Sequence, residues 1–129
     1  MEKIKTQKVN GLARKIVIIE SPLNADDIEG FERNMDYAKA CLMDSLLRGE
    51  SPYASHILYT HVLRDSNEHE RAMGMIAGIE FTRVADLVAV YGDKGVSKGM
   101  ESGIQEAIKY GVPYEFRSLD GDIDDDSVS

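Results

Sequence analysis

Two short runs, Lys15-Ile-Val-Ile-Ile19 and Asp86-Leu-Val-Ala-Val-Tyr91, constrain the fold more than any other feature of the chain. Both are continuously apolar after their first residue, whereas a strand with one wet face would alternate. Strands buried on both faces occur almost only in parallel sheets covered by helices on either side. The segments between and after them have the periodicity such helices need. From about Glu29 to Arg48, Phe31, Met35, Ala38, Leu42 and Leu46 fall three or four residues apart and line one helical face, and Gly49 is the expected stop. Strands alternating with helices predict an α/β domain, a three-layer flavodoxin-like parallel sheet with helices on both faces.

The rest of the chain completes this outline. Ser51 to Leu58 reads as a short strand and loop, Thr60 to Asn67 as a polar connection, and Glu68 to Arg83 as a helix. Gly74 and Gly78 stand one turn apart on that helix, which signals close approach of backbone or ligand, with packing the favoured cause. Ser97 to Tyr110 is a helix burying Met100, Ile104, Ala107 and Ile108, closed by Gly111 and Pro113. Tyr114 to Ser118 alternates and reads as an edge strand. Residues 1–13 form a polar leader, 14–119 a single domain, and 120–129 an acidic tail too poor in apolar residues to order itself.

Composition narrows the function classes. The 129-residue chain is 43% hydrophobic, enough for one core, and no apolar run approaches the ~20 residues of a membrane span. No secretory signal is read at the N-terminus, so the expected location is cytoplasmic, with no membrane partner. A net charge of −8 argues against sequence-independent nucleic-acid binding. Five of those negatives lie at Asp120 and beyond; up to Leu119 the net is −3, which leaves a nucleotide-sized anion admissible. Cys41, the single cysteine, sits in a helical apolar stripe and reads as a core residue.

The strongest site signal is Gly92 to Gly103, a glycine-rich turn running from a buried strand into a helix opened by Ser97. Amides freed at a helix N-terminus cradle phosphate or carboxylate, but Ser97 also fits a plain N-cap, and spacing alone leaves the two even. Asp86, at the mouth of its strand, could orient a ribose or base, or bond local backbone. Ser21, Pro22 and Leu23 follow the first strand and line the same crevice if the sheet is parallel. Arg71 belongs either to a solvated helix face or to an anion site. His56, His61 and His69 show no metal-ligand spacing, and no metal or cofactor is implied. Nucleophile-elbow, phosphate-loop and dithiol motifs are missing from the sequence.

Ser21-Pro22, Asn34 with Tyr37-Ala38, Gly49-x-x-Pro52-x-x-x-His56, Glu70-Arg71 with Gly74, Asp86, and Ser97-x-Gly99-Met100 together resemble the nucleoside 2-deoxyribosyltransferase-like superfamily, in its small phage- or bacteria-encoded branch. The resemblance runs from about Lys15 to Ser118. It implies chemistry on the N-glycosidic bond of nucleosides or nucleotides, a nucleotide site drawing on Ser21, Pro22, Leu23, His56, Arg71, Asp86, Ser97, Gly99, Met100 and Gly103, and a homo-oligomer. In that family a glutamate six residues after the helix-opening Ser or Asp attacks C1′, as in retaining glycosidases. Members with Ser there are similar to nucleoside monophosphate N-glycosidases, where the hydroxyl helps hold the 5′-phosphate.

Six residues after Ser97 stands Gly103, which has no side chain to attack with and costs a helix about 1 kcal/mol relative to Ala. Helix geometry puts Glu101 about 160° from it, and Glu106 about 60° away and about 4.5 Å further along. Glu106 is therefore the one weak candidate for a substitute carboxylate. Three readings follow. The leading one is a nucleotide-binding protein that has lost the usual nucleophile, with space enlarged by the absent side chain. The second is a working N-glycosidase or deoxyribosyltransferase using Glu106 or another carboxylate brought in by oligomerisation. The third is a structural or interaction protein in which Gly103 serves packing.

Overall fold

The computed structural model describes residues 14–64 and 66–120; the leader 1–13 and the tail beyond Asp120 lie outside it. Four strands, β1 (Ile16–Glu20), β2 (Ser51–Tyr53), β3 (Leu87–Tyr91) and β4 (Tyr114–Arg117), form one sheet in the order β2-β1-β3-β4. Every pairing is parallel, with Val17 opposite Leu87 and Glu20 opposite Val90 at the centre. The two continuous apolar runs are the two central strands, as burial on both faces requires.

Alternation along β1 splits the core in two. Val17 and Ile19 face helix α1 (Ile28–Leu47), packing with Cys41, Ala89 and Tyr91. Ile18 faces the other way, with Val88 and Val90, against Met100 and Ala107 of helix α4 (Lys98–Lys109). The three-layer α/β expectation is met. Asp27 caps α1 by accepting from the Gly30 amide at 2.8 Å, and Gly49 beyond its end takes φ +86°, a value that favours glycine.

Two expected burial patterns differ in detail. On α1 the fully covered positions are Gly30, Ala38, Cys41 and Ser45, while Leu46 is 48% exposed. A helix lying close on a sheet buries its small residues, and the larger side chains splay to the flanks. On α4, Ile108 is likewise exposed. The segment after Glu50 also departs from expectation: β2 ends at Tyr53, and a short helix α2 (Ser55–Leu58) and a 3-10 turn (Tyr59–His61) follow. These pack on helix α3 (Glu68–Arg83), whose two glycines are explained by them. A Cβ on Gly78 would lie 2.9 Å from Ser55 Oγ, and one on Gly74 would lie 3.2 Å from Leu63 Cδ1. Close packing is the cause. Cys41 is fully buried, and burial pushes its thiol up to about 12, so it is an inert core residue.

Candidate functional site

Because β1 and β3 are neighbours whose following helices leave to opposite faces, a crevice opens beyond their carboxyl ends, where open parallel sheets place ligands. Four sequence-predicted residues, Ser21, Leu23, His56 and Arg71, gather on one side of it. Ser21 leaves β1 directly into the crevice wall, and its hydroxyl meets His56 Nε2 of α2 at 2.7 Å. Ser21 is only 6% exposed, and burial lowers the His56 pKa to about 4, so the pair is a neutral hydrogen bond. Leu23, His56 and Arg71 then line a common cleft of ≈ 140 Å³ with Tyr59, Leu63 and Met75. Pro22 lies between Ser21 and Leu23, partly buried.

The cleft is walled mainly by apolar groups and rimmed by charge. Tyr59 is held by a 2.8 Å bond from the Tyr53 hydroxyl, and Tyr53 stacks on Phe81 at 4.2 Å. At the rim, Glu70 accepts from Arg64 Nη2 at 2.7 Å and from the Arg64 amide at 2.5 Å, while Asn67 caps α3 through the Glu70 amide. The volume is about half the ~300 Å³ at which small-molecule sites usually begin. It suits one ring of a larger ligand.

On the other side of the crevice the structure replaces an expected vacancy with a carboxyl group. Glu20, the last residue of β1, shares parity with Ile18 and so turns toward α4. Its carboxyl rests against Gly103: a Cβ there would lie 2.9 Å from Glu20 Oε1 and closer still to the rest of the carboxyl. The space is therefore filled, not enlarged. Desolvation raises the Glu20 pKa from 4.5 to about 8. No hydrogen-bond or ion-pair partner of this carboxyl occurs among the described residues. Sequence reading passed over Glu20 because it falls between the apolar run and the Ser-Pro loop; its parity with Ile18 was the available signal.

The remaining predicted residues divide. Ser97 caps α4, accepting from the Met100 amide at 3.2 Å while its own amide points to Met100 Sδ at 3.4 Å, which realises the capping alternative. Met100 is 1% exposed, so its side chain belongs to the core and not to the crevice. Gly99 is exposed in the first turn beside Ser97. Asp86 is a correction: it accepts from the Ile16 amide at 2.7 Å, and its own amide donates to the Ile16 carbonyl at 2.8 Å. It ties the amino ends of β1 and β3 together, about 16 Å of strand away from the crevice. Glu106, the expected substitute carboxylate, does not occupy the place beside Gly103. It lines a shallow hollow along α4 with Lys98, Glu101 and Gln105, with Oε1 buried and lacking a partner among the described residues, whereas the carboxyl facing Gly103 is that of Glu20.

Among the described residues no group of three or more His, Cys, Asp or Glu is placed to hold a metal ion, and no helix is long and apolar enough to cross a membrane. No curated protein matches the sequence. Among solved structures, a 2-deoxyribosyltransferase from the psychrotolerant bacterium Bacillus psychrosaccharolyticus, described as a biocatalyst for nucleoside synthesis, superposes with a TM-score of 0.58. That likeness covers 80% of this chain and 72% of the other at 15% identity, and it shows the shared fold. The model of one family, described as a domain of unknown function (DUF7768), matches residues 15–117, and the chain belongs to that family.

Proposed function

We propose that the protein binds a nucleoside or nucleotide in the crevice between the carboxyl ends of β1 and β3, with one ring in the Leu23–His56–Arg71 cleft. The observation that carries this reading is the position of that cleft. It is lined by Leu23 of the loop that follows β1 and by residues of α2 and α3, its His56 is bonded to Ser21 at the carboxyl end of β1, the end at which parallel sheets hold ligands, and the fold is shared with a 2-deoxyribosyltransferase. Apolar walls suit the faces of a nucleobase, and Arg71 at the edge suits a phosphate or carbonyl oxygen. Gly103 stands where the family resemblance would put the attacking carboxylate, so the nucleophile of the standard covalent step is missing from that position.

Calorimetric titration with a panel of ribo- and deoxyribonucleosides and their monophosphates tests the proposal. Saturable heat with at least one member is expected. His56→Ala should weaken that binding by about two- to tenfold, the effect of losing one net hydrogen bond. No heat with any member would leave the structural-partner reading in possession. A second reading, active cleavage or transfer at the N-glycosidic bond by a relocated carboxyl group, is favoured by one observation, the seating of Glu20 on Gly103.

A further inference from the structure

We propose that Glu20 is the acid–base residue of this crevice: seated against Gly103, it gives its carboxyl proton to a ring nitrogen of a bound nucleobase as the N-glycosidic bond opens, and recovers a proton from the water that adds to the sugar. The inference rests on the nucleotide reading above and assigns the chemistry of that site.

Three observations converge on this residue. Glu20 ends the central strand at the switch point, next to Ser21, whose hydroxyl is bonded to the cleft residue His56. Its carboxyl is without a hydrogen-bond or ionic partner among the described residues, although carboxylates taken out of water are normally paired. And the facing helix clears a seat for it. Gly103 has ordinary helical backbone, so the glycine is not required by a positive φ; what it supplies is the space that Glu20 occupies. A helix gives up about 1 kcal/mol by carrying glycine in place of alanine, and here the return is a place for one carboxyl.

The chemistry balances without a covalent intermediate. Burial raises the pKa of Glu20 to about 8, so the group holds its proton at neutral pH and is a donor. The proton moves to the base, the C1′–N bond breaks with its electron pair going to nitrogen, and the sugar is left electron-poor at C1′. Water supplies oxygen to C1′ and a proton to the Glu20 carboxylate. The products are the free base and a sugar carrying a hydroxyl at C1′, and Glu20 returns to its starting state. No group on α4 is needed, which accounts for the absence of a carboxylate at residue 103.

The test begins with those nucleosides and nucleotides that bind by calorimetry, each incubated with the protein while release of free base is followed by chromatography. The wild type should release base, with a rate that falls tenfold per pH unit above about pH 8 as the acid form disappears. Glu20→Gln should lower release by about 10²- to 10⁴-fold, the usual size of a general acid's contribution, with calorimetric affinity held within about threefold. Gly103→Ala fills the seat; the protein should stay folded by circular dichroism while release drops with it. Base release by Glu20→Gln at the wild-type rate would overturn the assignment, as would a rate that climbs through pH 8, the signature of an attacking carboxylate. Binding with no release from any compound also overturns it and leaves the binding function standing. Absence of binding strikes the nucleotide reading itself.

Discussion

Gly103 and Glu20 show how a residue can be explained only by its partner. Viewed along the chain, glycine in mid-helix is a deletion, and the natural inference is empty space. In the folded protein the space belongs to a carboxyl group from β1, a contact that depends on two strands and a helix being in register. The seated group has a measurable effect on stability. With its pKa raised from 4.5 to about 8, Glu20 favours the folded state in its protonated form. That contribution is complete below about pH 4.5 and is lost progressively as pH rises through 8. Glu20→Gln keeps the shape and removes the titration, so its melting temperature should match the wild type at pH 5 and exceed it by at least about 4 °C at pH 9. Equal melting temperatures at both pH values would mean that the carboxyl titrates normally. Gly103→Ala should not unfold the protein, because the obstructing atoms are the far end of a flexible side chain and alanine restores helix propensity.

Elements were legible in the sequence to the extent that local pattern determines them. The central strands, α1, α3 and α4 were readable from hydrophobic period and from the Gly49 and Gly111 stops, because both are local properties. The segment Ser55–His61 was not, since its helix and 3-10 turn exist to pack on the two glycines of α3, and neither has a periodic stretch of its own. Least legible was the ionic cluster joining β4 to α1. Arg117, at the end of β4, donates to both Glu50 oxygens at 2.9 and 2.7 Å, to Glu115 at 2.6 Å and to the Tyr91 hydroxyl at 3.1 Å; Tyr91 in turn donates to Asp44 at 2.7 Å. The Arg117 side chain is 3% exposed, which no alternating edge-strand pattern forecasts. Desolvation acts to raise the Glu50 pKa, but the bonds from Arg117 and Ser45 outweigh it and hold the carboxyl below its usual range. Its contribution is therefore present above the ordinary carboxylate pKa of 4.5 and lost as pH falls through the lowered value. Arg117→Ala leaves the largely buried Glu50 carboxylate without its ion-pair partner, while Asp44 keeps its pair with Arg48, and should cost about 3–5 kcal/mol in urea unfolding at pH 7. As pH falls through that lowered value and Glu50 takes up its proton, the difference should shrink. A cost below about 1 kcal/mol at pH 7 would reduce the cluster to a surface ornament of the fold.

The whole molecule has two ends that differ in kind, because every strand runs the same way. At the amino ends, Asp86 ties the backbone of β3 to Ile16 and serves the sheet. At the carboxyl ends, the chain turns into the segments that hold Ser21, Leu23, His56 and the start of α4, and there lies the Glu20 carboxyl, desolvated and without a partner among the described residues. Of the two roles the sequence left open for Asp86, the structure shows the bond to local backbone, at the end of the parallel sheet opposite the crevice. Ligand binding should therefore leave a one-sided footprint in amide hydrogen exchange. With a nucleotide that gives calorimetric heat, protection should rise in residues 20–25, 54–64 and 92–103 and stay unchanged in residues 84–86 and 111–113. Since β1 and β3 are covered on both faces, their amides exchange slowly with or without ligand and provide the internal reference. Protection confined to the amino end, or spread evenly over the chain, would remove the crevice as the binding site, since a ligand in that crevice touches the loops of one end only.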